Sequence, residues 1–279
     1  MKTIGVVGLG FVGEAVQRGF ETSHIVFTYD IVKECTEQSL DNLVKKTEII
    51  FIAVPTPMNV DGACDTRIVE SVLTKIANVP VPYRPICVIK STIPPGTSER
   101  LAHQFPNLTI VFNPEFLTEK NYIEDFKNQP YIVLGHTVKQ LSLVPLVDVY
   151  QRRFPNTQIH LVTSREAELL KYVANTFLAT KVTFLNEIYQ LCQVTDIDYE
   201  KIVSVISTDV RLGPTHWKVP GPDGHMGFGG TCFPKDINAL ITYGQQNGIE
   251  LTLLKKVWEN NLMVRPEKDW ELDKGRAVV

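Results

Sequence analysis

The stretch "GFGGTCFPKD", residues 227–236, sets a cysteine, a lysine and an aspartate within five consecutive positions. Gly229 and Gly230 permit backbone conformations closed to other residues. Pro234 suits the first turn of a helix, so Cys232 is expected at or just before a helix N-terminus. The positive end of that helix, with Lys235 nearby, favours thiolate over thiol and makes the sulfur a nucleophile near neutral pH. Asp236 follows Cys232 by four residues, about one turn along the same face. The other cysteines, Cys35, Cys64, Cys87 and Cys192, lack this setting. An odd count without CxxC spacing speaks against a disulfide framework and against a thiolate zinc site, and no metal is expected.

A second chemistry-bearing stretch opens the chain. "GVVGLGFVG" carries Gly8, Gly10 and Gly13 as GxGxxG, with Phe11 and Val12 inside the motif. It lies between a strand pattern and a helix pattern, where glycines allow a tight turn and close approach of backbone to a pyrophosphate. Asp30 ends the next predicted strand, twenty residues after Gly10. A carboxylate there accepts from ribose hydroxyls and repels a 2′-phosphate, so NAD is the expected cofactor rather than NADP. Lys33 either assists at the ribose or is a solvated surface lysine.

Further candidates stand where predicted strands end, the edge at which doubly wound sheets bind ligands. "VPTP" (54–57) offers Pro55 and Thr56 beside a nicotinamide position, and "STIPPGTSE" (91–99) offers Thr92. "NPEFLTEK" (113–120) offers Glu115 and, four residues on, Glu119. Either carboxylate could act as a base or orient water; either could equally be a first-turn helix acid. Lys171 and Asn175 are four apart in a helical pattern, hence on one face.

Strands must position these loops. Near-continuous apolar runs at 3–9, 24–30, 48–54, 86–91, 108–113 and 131–135 read as parallel strands buried on both faces. Helical patterns lie between several of them, notably at 11–20 and 65–78. The fold class is therefore α/β: an N-terminal Rossmann domain, a doubly wound and mostly parallel sheet, over residues 1–160. Beyond it an all-α domain is expected over 161–262, built on one long central helix at 164–195. Ser164, with Glu168 close behind, reads as that helix's N-cap. Shorter helices are predicted near 198–206, 235–247 and 251–262, and residues 263–279 read as a frayed, charged tail.

Composition sets outer bounds. A chain of 279 residues, 44% hydrophobic and 21% charged with a net charge of −3, can bury a substantial core. No basic run suggests nucleic acid, and no apolar run approaches the ~20 residues that span a bilayer. The strand pattern begins at once, so no leader is expected and the location is read as cytoplasmic.

A thiolate beside a nicotinamide has a specific use. An alcohol oxidised to an aldehyde can be trapped by the sulfur, oxidised again to a thioester and hydrolysed to an acid. A lysine ammonium and an asparagine amide can stabilise the oxyanions formed on the way.

With "GLGFVG", "VPTP", "STIPPG", "NPEFL", "KYVANTFLATKVTFLNE" and "GFGGTCFPKD" in this order, the chain resembles the nucleotide-sugar 6-dehydrogenase family, which includes the UDP-glucose 6-dehydrogenases. The resemblance runs from residue 1 to about 262 and implies a four-electron oxidation of a sugar C6 alcohol, with UDP-glucose as the expected substrate. It implies Cys232 as nucleophile, Lys171 and Asn175 at the oxyanion and substrate, Asp236 with Thr92 at a water, and Glu115 in thioester hydrolysis. Phe116, Leu117, Phe228, Gly229 and Gly230 are implied at the substrate, and Glu119 near substrate or cofactor. Arg211 is implied at the substrate of a neighbouring subunit, in a homodimer built on the 164–195 helix. Two departures stand out. The family's further nucleotide-binding domain is not part of this sequence, so a separate chain supplying it is one expectation. The segment at 213–225 is rich in proline and glycine, and is expected to lie over the sugar nucleotide through Trp217 and Lys218. Two other readings stay open: a single-hydride β-hydroxyacid-type dehydrogenase, and a non-catalytic NAD-binding relative.

Overall fold

A computed structural model describes residues 2–137 and 143–279. They divide into two compact units, one of residues 1–56 and 66–171, the other of 57–65 and 172–279.

The first unit is a seven-stranded sheet in the order β2-β1-β3-β4-β5-β6-β7. The strands are β1 (Thr3–Val7), β2 (Ile25–Tyr29), β3 (Ile49–Ile52), β4 (Ile86–Ile89), β5 (Thr109–Phe112), β6 (Tyr131–His136) and β7 (Gln158–Thr163). All neighbours pair parallel except β5 and β6, which run antiparallel. The six predicted strands are present. β7 was not expected, because its burial alternates along a half-exposed edge and it lacks the continuous apolar run of a central strand.

Period-two alternation divides the core between the sheet's faces. Ile50, Ile52, Cys87 and Ile89 point to one side, where Leu43 of α2 (Leu40–Lys46), Leu73 of α3 (Arg67–Ala77) and Leu101 of α4 (Thr97–Gln104) cover them. Ile49, Phe51, Ile86 and Val88 point to the other, under α1 (Phe11–Phe20), α5 (Tyr122–Lys127) and α6 (Val144–Arg153). Phe20 centres that second face, with the Phe51, Phe126 and Tyr150 rings 5.5, 5.6 and 5.3 Å away. Each such fully buried side chain contributes roughly 1.5–3 kcal/mol.

Helix α7 (Ser164–Thr195) follows β7 directly. Its N-cap is Thr163 and not Ser164 as expected. Thr163 N–H donates to Glu166 Oε2 at 2.8 Å and Glu166 N–H to Thr163 Oγ1 at 3.3 Å, a reciprocal capping box. Ser164 is buried instead, and Glu168 serves another helix: its carboxylate accepts Gly96 N–H at 2.6 Å and Ser98 N–H at 2.8 Å, at the start of α4.

The second unit holds the rest of α7 with α8 (Tyr199–Ile206), α9 (Phe233–Gln246) and α10 (Thr252–Val264). Ala179, Phe228, Ile237, Ile241 and Val257 form one apolar cluster; Leu185, Cys192, Tyr199, Trp217 and Val219 form another. Two expectations are corrected here. The terminal segment is not frayed: Trp270 is 2% exposed against Trp258, and Met58 N–H donates to Ala277 O. A single tryptophan and a buried arginine anchor it, features that carry no periodic pattern. Trp217 does not present itself to a ligand either, because its ring packs into the α7–α8 cluster and its Nε1–H donates to Gly213 O at 2.8 Å.

Candidate active site

In the first unit the glycine motif forms the turn from β1 into α1. Gly8 has φ +88°, and Ala53 O at the end of β3 would lie 2.7 Å from any Cβ added there. A Cβ on Gly13 would overlap Gly8 O, whereas one on Gly10 meets no described atom within 4 Å. The helix start is thus pressed against the strand while the turn's outer side is open, which fits a pyrophosphate. Asp30 stands at the rim of the same turn: Leu9 N–H donates to Oδ2 at 2.6 Å, and Val32 and Lys33 N–H donate to Oδ1 at 2.8 and 3.0 Å. Burial alone would raise its pKa, but these backbone donors outweigh that and hold it below the ordinary carboxylate value. The anion suits ribose hydroxyls. Lys33 is exposed; its backbone N–H donates to Asp30 and its ammonium also favours the Asp30 anion.

The strand-tip loops are fixed to one another. Ser91 Oγ donates to Val54 O at 2.6 Å, joining the Pro55–Thr56 loop to the Thr92 loop. Thr56 and Thr92 are buried, while Pro55 is exposed. After β5, Glu115 is drawn inward: Lys171 Nζ donates to its Oε1 at 2.8 Å and to its backbone O at 2.6 Å, and Leu117 N–H donates to Oε2 at 2.8 Å. Burial pushes the Glu115 pKa up, yet Lys171 and these hydrogen bonds hold it below the usual range. Phe116 lies beneath the Lys171 ammonium at 5.6 Å. Glu119, four residues beyond Glu115, is exposed.

Sequence reasoning missed the support behind Glu115. Lys90 Nζ donates to Asn113 Oδ1 at 2.7 Å, and Tyr150 OH donates to that oxygen at 2.5 Å. Asn113 Nδ2 in turn donates to Val133 O at 2.7 Å. Burial lowers the Lys90 pKa to about 7; Glu115 opposes the shift and Lys171 adds to it. A lysine ending a fully apolar strand run was the available signal.

In the second unit Cys232 is the N-cap of α9, with Phe233 and Pro234 opening the helix. This matches the expectation from Pro234. Asp236, 1% exposed, accepts from Asn175 Nδ2 at 2.6 Å on Oδ2 and from Lys235 Nζ on Oδ1. Burial works against the Lys235 ammonium, but the Asp236 carboxylate and then the Cys232 and Cys64 sulfurs outweigh it, so its pKa is raised. Cys87, by contrast, has its thiol pushed up to about 12 by burial alone and is inert packing. Phe228 is buried, and Gly230 takes φ +68°. Arg211 lies apart from this cluster, largely exposed, with its Nη2 2.5 Å from Asp209 Oδ2.

The glycine turn, the Asp30 rim and the buried carboxylate at a strand tip define a nicotinamide-dinucleotide-binding α/β protein of the dehydrogenase type. Comparison with known proteins refines that class. The NAD binding domain of the UDP-glucose/GDP-mannose dehydrogenase family matches residues 29–154, and that family's central domain matches residues 165–262. The chain belongs to the UDP-glucose/GDP-mannose dehydrogenase family. It is 34% identical over 237 residues to a UDP-glucose 6-dehydrogenase of Pseudomonas aeruginosa, covering 80% of this chain and 50% of that protein. The structure of a UDP-glucose dehydrogenase from Pyrobaculum islandicum superposes with a TM-score of 0.85 at 30% identity, covering 98% of this chain and 70% of that one. A 3-hydroxyisobutyrate dehydrogenase of Mycobacterium tuberculosis shares the fold alone, with a TM-score of 0.72 at 14% identity over 96% of this chain and 95% of that one. The chain spans about half the length of the curated relatives it matches. Among the described residues, no helix is long and apolar enough to cross a membrane.

Proposed function

We propose that this chain acts in the NAD-dependent four-electron oxidation of the C6 primary alcohol of a nucleotide sugar, UDP-glucose to UDP-glucuronate. NAD, when bound, accepts the hydride in each of the two oxidations. The reading is carried by one observation: Cys232 caps α9 one turn from the buried Asp236–Asn175 pair and beside the Lys235 ammonium. A single hydride transfer has no use for a thiol held in that way.

The roles follow from the chemistry. Cys232 sulfur adds to the C6 aldehyde, forming a C–S bond and an alkoxide; hydride loss then gives a thioester. Water attacks that thioester, the C–S bond breaks, and the sulfur leaves as thiolate. Lys171 supplies the positive charge for the oxyanions, and Asn175 an amide N–H. Asp236 accepts a proton from the attacking water, with Thr92 as a hydrogen-bonding partner, and Glu115 assists hydrolysis while holding Lys171 in place. Phe116, Leu117, Phe228, Gly229 and Gly230 contact the sugar, and Glu119 the substrate or cofactor.

A homodimer through α7 belongs to the same reading. Val173, Phe177, Phe184 and Leu191 are 53–66% exposed and recur at four- and seven-residue spacing along that helix. Such a stripe is costly to leave in water and suits a second copy of itself. Arg211, exposed beyond α8, is the group offered to the neighbouring substrate.

The deciding experiment incubates the purified chain with NAD and UDP-glucose and counts NADH formed per sugar consumed. A ratio of two supports the proposal. A ratio of one, or no NADH, overturns it.

A further inference from the structure

The glycine-rich approach to Cys232 is held by side chains from three other places in the second unit. Gly227 N–H donates to Asn186 Oδ1 at 2.9 Å. Asn261 binds the next residue on both sides, accepting Phe228 N–H at 2.7 Å and donating from Nδ2 to Phe228 O at 2.9 Å. Asp269 Oδ2 accepts Gly230 N–H at 2.8 Å, while its Oδ1 accepts Arg265 Nε–H at 2.6 Å. Arg265 is itself buried and pairs with Asp223 at 2.8 Å. Three of the four backbone N–H groups from Gly227 to Gly230 are thus taken by a buried amide or a carboxylate.

The glycines exist for this grip as much as for any ligand. A Cβ on Gly227 would overlap Asn261 Oδ1, and one on Gly229 would overlap Asp269 Oδ1 and the Arg265 guanidinium. Gly227 and Gly230 also take φ of +69° and +68°, where other residues are strained. Removing either side chain would free backbone donors and let the loop sample other conformations before Cys232.

We propose that Asn186, Asn261 and Asp269 are positioning residues that fix the 227–230 backbone and thereby set Cys232 at the N-terminus of α9. A sulfur at an N-cap gains from oriented N–H groups only while the chain entering the helix is held. Ordinary packing residues would contribute to stability alone. Positioning residues also set the acidity of the thiol. The inference rests on Cys232 being the nucleophile, but its test requires no turnover, so failure of sugar oxidation and failure of the latch remain distinguishable.

The experiment follows alkylation of Cys232 by iodoacetamide against pH in the full chain, reading the Cys232 peptide by mass. The wild-type midpoint is expected below the ~8.5 of a free cysteine. Asp269→Ala and Gly229→Ala should each raise it by about one unit, lowering the thiolate fraction near neutral pH about tenfold. The double variant should fall short of the sum of the two single effects, since both disturb the Asp269 contact with this backbone. Asp269→Asn, which keeps an acceptor for Gly230 N–H, should restore most of the wild-type profile and serves where the alanine variant melts too low. Midpoints unchanged in Gly229→Ala and in the folded Asp269 variants, or effects that add in the double variant, overturn the proposal.

Discussion

Asn175 Nδ2 donates to Asp236 Oδ2 at 2.6 Å, so the amide assigned to the oxyanion and the carboxylate assigned to the water form one buried unit. Only one of the amide's two N–H groups is engaged in this contact, which leaves the other for substrate oxygen. Lys235 closes the arrangement on the second carboxylate oxygen.

Asn175→Asp should therefore be far more damaging than its size suggests. Two carboxylates at that separation cannot both ionise, so one pKa rises strongly. Acid formation is expected to fall about 10²-fold or more, as loss of an oxyanion donor does. A pH–rate profile checks this; a profile identical to wild type would remove Asn175 from the site.

Cys232→Ser keeps the N-cap geometry and removes the thiolate. NAD binding, followed by cofactor fluorescence, should be unchanged, because the dinucleotide turn belongs to the first unit. Acid formation should disappear. A fully active serine variant would end the thioester mechanism.

Lys171 and Glu115 form a buried pair, 3% and 6% exposed at their side chains. Lys171→Met strands the carboxylate and should destabilise the chain by about 3–5 kcal/mol. Replacing both partners by apolar residues of matched volume should cost clearly less, since no unpaired charge is left. Urea melts of wild type and the two variants decide it, and a double variant less stable than Lys171→Met would contradict the pairing argument.

Lys90 gives a pH signature. Its pKa is lowered by burial to about 7 in the folded chain, against an ordinary value of about 10.4. Between those values the unfolded chain binds more protons, so the contribution to stability rises with pH; it is complete above about 10.4 and lost as pH falls through the folded value. Wild type should gain stability relative to Lys90→Met between pH 7 and about 9.5, and show no such relative change below about pH 6. Parallel stability curves across that range would mean Lys90 keeps its ordinary acidity.

Local patterns in the sequence decided much of this. The GxGxxG spacing, the strand runs with Asp30 at one end, and the 164–195 helix each follow from turn chemistry or from hydrophobic period within a short window. Cys232 as a helix N-cap follows from Pro234 two positions later. Long-range partners were decided only by tertiary structure, because a polar side chain carries no mark of whom it will meet. Glu168 read as an acid of its own helix, yet it holds the start of α4, seventy and more residues away. Lys90, Asn113 and Tyr150 converge behind Glu115 from two strand ends and a helix. The terminal segment read as a tail, and in the fold its Arg265 and Asp269 clasp the glycines before the cysteine. Which residue types could do chemistry was legible one window at a time. What holds them still required the packing of distant segments, since buried polar groups must find partners wherever the fold brings them.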